Sequence, residues 1–233
     1  INMTWIFSIE GNIGSGKSTA IKHLAKKLHY INGKKIVYIQ EPVDIWNTVK
    51  DENNNNIIER FYDNPKKFAF QFQMMAYITR ITKIRHAIRN NPNCIIITER
   101  SIYSDRAVFA KMLYDDKTMD KISYNIYNKW FDELARDIKV AGYIYIKAEP
   151  QTSLKRITKR NRPGETITLN YLEKCHKAHN EWLGKELITL YLNGEREGET
   201  SLPDDWDLCI QTFIKTNTPD ESYIFNLLDH PFF

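Results

Sequence analysis

Apolar residues along the chain recur with two periods that take turns. Trp5, Ile6, Phe7 and Ile9 form a run of strand formers, and Ala20, Ile21, Leu24, Ala25 and Leu28 then return at helical spacing. The same succession repeats after Lys35 to Gln40, Cys94 to Thr98 and Gly142 to Ile146, and Asp207 to Phe213 reads as a fifth strand. Short apolar runs separated by helical stretches suit strands covered on both faces. The pattern therefore predicts an α/β fold: a five-stranded parallel sheet flanked by helices, in a single domain over residues 1–233. Pro65 fits a first helical turn capped by Asp63 or Asn64, in a helix running to about Arg89 before Asn90-Asn91-Pro92 ends it. The polar tract Asp51 to Asn56 reads as a mobile loop, and Gly194 to Asp205 as a charged insertion before the last strand.

Composition narrows the class. A chain of 233 residues can bury about 70% of its unfolded surface in one core. Cys94, Cys175 and Cys209 make no metal-spaced pair and leave an odd thiol, which points to a reducing, cytoplasmic setting. No apolar run approaches the ~18 residues that span a bilayer, so no membrane partner is expected. The net charge of +4 is mild, and nothing in it demands nucleic acid.

Chemistry enters at Gly11-Asn12-Ile13-Gly14-Ser15-Gly16-Lys17-Ser18, followed by Thr19, which fits G-x-x-x-x-G-K-[ST] between a strand and a helix. Glycines let backbone N–H groups turn toward a phosphate, Lys17 reaches further phosphate oxygens, and Ser18 can ligate Mg²⁺. A dinucleotide loop fits worse, because Thr19 stands where G-x-G-x-x-G needs its third glycine. Ligands of parallel sheets gather at the carboxyl ends of strands. Two more such ends carry acids: Glu41, before Pro42, and Glu99, before Arg100. A lone Glu after a strand is ordinarily a solvated loop residue. Two beside a phosphate loop suit triphosphate chemistry, in which one group holds Mg²⁺ and another activates the acceptor. Further on, Phe72, Gln73, Ala76 and Arg80 share one helix face. The basic run Arg156, Lys159, Arg160, Arg162 ends in Pro163-Gly164-Glu165 and suits a closing lid.

These motifs, with Glu41-Pro42-Val43, Trp46, Tyr62 through Arg80, Glu99 through Arg106 and Tyr171 to Leu183, resemble the deoxycytidine and deoxyguanosine kinase family over roughly residues 4–185. The resemblance implies a P-loop kinase with an arginine-rich lid, which transfers the γ-phosphate of ATP to the 5′-OH of a deoxynucleoside in nucleotide salvage. Glu41 would be the general base, with Arg100 beside it on the reacting oxygen. Lys17, Arg156, Arg160 and Arg162 would act on the phosphates, and Ser18 with Glu99 on Mg²⁺. Phe72 and Phe109 would sandwich the base, while Gln73 reads its edge together with Arg80 and Asp105. Ile13, Trp46, Ile58, Phe61, Tyr62 and Ala76 would line the nucleoside cleft. Family members that favour thymidine replace the Arg and Asp by uncharged residues; this chain keeps both, which favours deoxycytidine, deoxyadenosine or deoxyguanosine. The lid departs from the cellular branch and is similar to that of herpesvirus thymidine kinases, leaving Glu165 as the carboxylate for the sugar 3′-OH. By the same resemblance the donor base would sit on a loop after the fifth strand, near Thr216 to Asp220. Helices at Tyr103 to Lys111 and Ser123 to Arg136 would pair in a homodimer. Two rivals remain: a nucleoside monophosphate kinase, which would need a clamp for an acceptor phosphate, and a non-catalytic relative, which would be expected to erode Lys17, Glu41 or the lid arginines.

Overall fold

Alternation along β1 (Trp5–Glu10) decides what covers each face of the sheet. Phe7 and Ile9 face α1 (Lys17–Lys27) together with Ile95 and Ile97 of β4 (Ile95–Glu99), in a cluster completed by Ala20, Ile21 and Leu24. Ile6 and Ile96 face the other way, onto Tyr77, Ile81 and Ile84 of α4 (Pro65–Asn90) and Tyr127 and Phe131 of α7 (Lys121–Leu134). The computed structural model describes residues 3–162, 164–195 and 204–218. Among them the sheet has six strands in the order β2-β3-β4-β1-β5-β6, with β3 at Lys34–Ile39, β5 at Gly142–Lys147 and β6 at Thr189–Asn193. Five are parallel. The sixth, β2 (Tyr30–Ile31), is antiparallel to β3. Asn32 and Gly33 close that hairpin with φ of 49° and 71°, the pair of positive values that a tight Asn-Gly turn needs.

The last parallel strand corrects the sequence expectation. Asp207 to Phe213 lies within a helix, α10 (Asp204–Thr216), and the fifth parallel strand is β6. Trp206, Ile210 and Ile214 recur every fourth residue and are buried against the α1 side of the sheet, whereas Leu208 is exposed. A strand would have put Leu208 and Ile210 on one face. Gly194 to Asp205 therefore follows the last strand instead of preceding it, and its residues 196–203 lie outside those described.

Helix starts follow the capping chemistry of the sequence. Asn64 accepts from the N–H of Lys67, with Pro65 opening α4. Asn56 and Glu59 form a reciprocal capping box on α3 (Ile57–Asp63). The polar tract before it is a bonded turn, in which Asp51 Oδ1 accepts from the N–H groups of Asn53 and Asn55. A short α2 (Val43–Trp46) follows β3. After β4 the chain passes through α5 (Ile102–Ser104) into a π-helical turn at Asp105–Ala110, then α6 (Lys111–Asp115). The basic run read from sequence as a lid begins on α8 (Pro150–Arg160) and leads to α9 (Leu169–Leu183). Because β1 connects toward β3 on one side and β4 toward β5 on the other, the connection reverses between the adjacent strands β1 and β4. That crevice, at the carboxyl ends, is where a ligand site is expected.

Candidate active site

A cleft of about 890 Å³ opens at that crevice, within the range of small-molecule sites. Its lining joins the phosphate loop from Ile13 to Thr19, Glu41 after β3, Glu99 and Arg100 after β4, one face of α4 and the lid. Nine Lys or Arg and five Asp or Glu line it, so its field attracts an anion.

Two loop glycines are required by close packing. A Cβ on Gly11 would meet the carbonyl oxygen of Ile146 at 2.5 Å, and one on Gly14 would meet that of Ser153 at 2.7 Å. Asn12 is buried and ties the loop to α9 by donating to the carbonyl of Leu172 at 2.9 Å. Gly11 and Asn12 thus shape the loop from behind without lining the cleft. Lys17 is buried too, its Nζ donating to the Asn12 carbonyl at 2.7 Å. Burial, with Arg100 nearby, pulls its ammonium down to about 7. Ser18 Oγ donates to Glu99 Oε1 at 2.5 Å, which sets a hydroxyl and a carboxyl side by side at the start of α1.

Glu41 sits between two guanidinium groups, its Oε1 lying 3.0 Å from Arg80 Nη2 and 3.3 Å from Arg100 Nε. Burial pushes its carboxyl up, but Arg100, Arg80 and Lys17 together outweigh that and hold it below the ordinary carboxylate value. Arg100 is fixed on other sides as well. Its Nη1 donates to the Gly11 carbonyl at 2.8 Å, and its guanidinium lies over the Phe109 ring at 4.7 Å. His179 stands 3.4 Å from the same Nη1. The ring's Nδ1 lies 2.7 Å from the Cys175 carbonyl, which can only accept, so Nε2 is left as an acceptor facing Arg100. Burial and the Arg100 charge keep this imidazole neutral, well below its ordinary pKa.

The α4 face is more connected than its spacing implied. Arg80 Nε donates to Asp105 Oδ2 at 2.8 Å and Nη1 to the Glu99 carbonyl at 2.7 Å, so one guanidinium links Asp105, the end of β4 and Glu41. Burial lifts the Asp105 carboxyl to about 6 against the pull of Arg80. Burial opposes the Arg80 charge, yet Asp105 and Glu41 raise its pKa overall. Gln73 is buried beside them, and its Oε1 has no hydrogen-bond partner among the described residues. Phe72 stacks on Phe61 at 4.8 Å and meets Trp46 edge-on at 5.5 Å. The Trp46 indole is in turn pinned by a 2.9 Å bond to Thr79 Oγ1. Ile58, Tyr62 and Ala76 complete this wall, and the π-helical turn brings Asp105 and Phe109 to the opposite side.

From the lid, Arg156, Arg160, Arg162 and Glu165 all line the cleft, with Arg160 paired to Glu165 at 2.5 Å. Pro163 lies outside the described residues. Every residue named from sequence for this site is therefore brought to one cleft or to the loop behind it. Val43, Lys159 and Tyr171, which belong to segments the sequence had marked, line it as well, and so do Asn193, Gly194 and Trp206, which were given no place in the site. The last three follow from the corrected strand. With β6 ending at Asn193, the loop after the last strand starts at Gly194, so a donor-base site near Thr216 to Asp220 is misplaced. Thr216 ends α10, and Asp220 lies outside the described residues. The alternation of Leu190, Tyr191 and Leu192 was the signal available.

Among the described residues no helix is long and apolar enough to cross a membrane. A family model described as deoxynucleoside kinase matches residues 7–208. A protein of Fowlpox virus (strain NVSL) named "Probable deoxycytidine kinase" is 38% identical over 198 residues, covering 81% of this chain and 78% of its own. Human deoxycytidine kinase is 33% identical over 197 residues, 76% of this chain and 74% of its own. The mitochondrial deoxyguanosine kinase of Xenopus laevis is 30% identical over 198 residues, 77% and 73% respectively. With a family model covering most of its length and relatives of this identity over three quarters of it, the chain belongs to the deoxynucleoside kinase family.

Proposed function

We propose that this kinase transfers the γ-phosphoryl group of ATP to the 5′-OH of deoxycytidine or a purine deoxynucleoside, in preference to thymidine, in nucleotide salvage. The observation that carries the reading is the placement of Glu41: a carboxyl held between Arg80 and Arg100 in the same cleft as Lys17 and the phosphate loop. The 5′-OH would donate to Glu41, and Arg100 beside it would meet the charge that develops on the reacting oxygens. Lys17 and the lid arginines 156, 160 and 162 would surround the triphosphate, while Glu165 takes the sugar 3′-OH. Phosphoryl transfer needs alignment and charge neutralisation more than covalent help, and this set of side chains supplies both.

The Ser18 hydroxyl and Glu99 carboxyl are paired oxygen donors at the start of α1, and they fit Mg²⁺, a hard cation usually held by few protein oxygens plus substrate phosphates. When bound, the ion would neutralise phosphate charge. Base choice rests on Arg80, Asp105 and Gln73, whose free amide oxygen and fixed carboxyl suit an amine-bearing edge. An acceptor phosphate would face the Glu41 carboxylate, which disfavours a nucleoside monophosphate as substrate. Asn193, Gly194 and Trp206 line the cleft and would border the donor base. For the assembly, Ile122, Ile126 and Trp130 form an exposed apolar stripe on α7, which supports a homodimer through that helix. The unpaired Cys94, Cys175 and Cys209 suit a reducing, cytoplasmic setting.

The test is phosphorylation of four radiolabelled deoxynucleosides with ATP and Mg²⁺. Preference for deoxycytidine or a purine supports the proposal; transfer to monophosphates alone, or none at all, would overturn it.

A further inference from the structure

Glu10, the last residue of β1, is fully buried and lies outside the lining of the cleft. Its Oε1 accepts a 2.6 Å bond from Ser8 Oγ and a 2.8 Å bond from the backbone N–H of Ser101. Its Oε2 has no hydrogen-bond partner among the described residues. Burying a carboxyl with one oxygen unmatched is costly, so the bond made by the other oxygen needs a reason.

That bond falls on the peptide joining Arg100 to Ser101. Arg100 has a φ of 62°, the left-handed region that residues with long side chains avoid. Such a conformation persists where the surroundings impose it, and here two successive N–H groups are tied to β1. The N–H of Arg100 donates to the Ile9 carbonyl at 3.0 Å, and the next one goes to the Glu10 side chain. Ser101 then caps α5, its Oγ accepting from the N–H of Ser104. Together these bonds fix the turn from which the Arg100 side chain reaches the Gly11 carbonyl and Glu41.

We propose that Glu10 is a positioning residue: by holding the Arg100–Ser101 peptide it sets the guanidinium of Arg100 against Glu41 and the reacting oxygens. The proposal rests on the reading of Arg100 as a group that acts on the transferring phosphate. What matters is the reach of an acceptor oxygen, not the charge it carries. Glu10→Gln keeps the reach and drops the charge, whereas Glu10→Asp keeps the charge and withdraws the oxygen by one methylene.

The experiment measures kcat and KM for Glu10→Gln, Glu10→Asp and Glu10→Ala in the wild-type and Arg100→Ala backgrounds, with near-ultraviolet circular dichroism as a check of folding. A displacement of about 1 Å at a reacting group costs roughly 10²-fold in rate. Glu10→Asp is therefore expected to lose about 30- to 100-fold in kcat and Glu10→Gln less than about threefold. In the Arg100→Ala background Glu10→Asp should cost less than about threefold more, because the group it positions is gone. Aspartate outperforming glutamine, or an equal loss in both backgrounds, would overturn the proposal. If Glu10→Ala does not fold, the glutamine and aspartate pair still decides. An Arg100→Ala enzyme with unchanged kcat would overturn the reading of Arg100 itself, a result distinct from additivity between Glu10 and Arg100.

Discussion

Replacing Asp105 tests the base-reading pair and its link to the general base at once. Asp105 is buried and takes a 2.8 Å bond from Arg80 Nε and a longer one, 3.4 Å, from Nη2. Asp105→Ala strands one face of a buried guanidinium, and breaking such a pair costs about 3 to 5 kcal/mol. Arg80 keeps its bonds to the Glu99 carbonyl and to Glu41, so the lower end, about 3 kcal/mol, is expected. Adding Arg80→Met removes the stranded charge. The double variant should then lose only about 1 to 2 kcal/mol in urea unfolding, about 1.5 kcal/mol less than Asp105→Ala alone. Its pocket lacks the donors and acceptor matched to an amine-bearing base and has room for a methyl group. The ratio of kcat/KM for thymidine over deoxycytidine should therefore rise by at least about 10²-fold. Arg80 also bonds Glu41, so its loss removes one of the cations holding that carboxyl down. As the proposed base Glu41 would work deprotonated, so in the double variant activity should begin to fall at a higher pH on acidification than in wild type. A wild type that already favours thymidine, or a double variant as unstable as Asp105→Ala, would refute this account.

Glu41→Gln is expected to lower kcat by about 10² to 10⁴ while nucleoside binding, read by calorimetry, changes little; retention of more than about a tenth of the rate would reassign the base. Lys17, pulled down to about 7 by burial and Arg100, is mostly neutral above that pH in the free protein, and a bound triphosphate favours its charged form. Nucleotide binding at pH 8 should thus take up a proton and weaken as pH rises, seen as buffer-dependent binding heats that vanish in Lys17→Met; equal heats in all buffers at pH 8 would count against it. For α10, Ile210→Ala should cost about 3 kcal/mol and Leu208→Ala under about 0.5, whereas a strand with both on one face would make the two costs similar.

The parts of the site legible in sequence are those in which chemistry is tied to a strand end. Glycine spacing, Lys17 and Ser18 declared the loop; Glu41 and Glu99 stood directly after apolar runs, and sheet topology did the rest by setting β1 between β4 and β5. What escaped was tertiary. That Arg80 joins Asp105 to Glu41 depends on where α4 crosses the end of β3, and no spacing along the chain encodes that distance. His179 lies in the Tyr171 to Leu183 segment that carries the resemblance, but its role as an acceptor toward Arg100 follows only from the Cys175 carbonyl fixing the other ring nitrogen. The C-terminal strand failed for a different reason. Leu208, Ile210 and Ile214 satisfy a two-residue period while Trp206, Ile210 and Ile214 satisfy a helical one over the same short window, and the true edge strand offers only five residues with one exposed tyrosine between two leucines.

Charge placement around Glu41 bears on how it would serve as the proposed base. A carboxylate flanked by Arg80, Arg100 and Lys17 is anionic across the neutral range, but the same cations that keep it ionised make it a weaker proton acceptor. For a reaction that needed early, complete removal of the 5′ proton this would be a handicap. Phosphoryl transfer through a loose transition state has little bond formation to the nucleophile at its peak, so the proton can leave late and orientation counts for more than basicity. Under the proposed function Arg100 would have two compatible tasks, fixing the carboxylate that orients the hydroxyl and lying beside the oxygens that become negative. Its strained backbone and its contacts to Gly11, His179, Phe109 and Glu41 are what such a double task requires, since a side chain serving both partners has no freedom to drift between them.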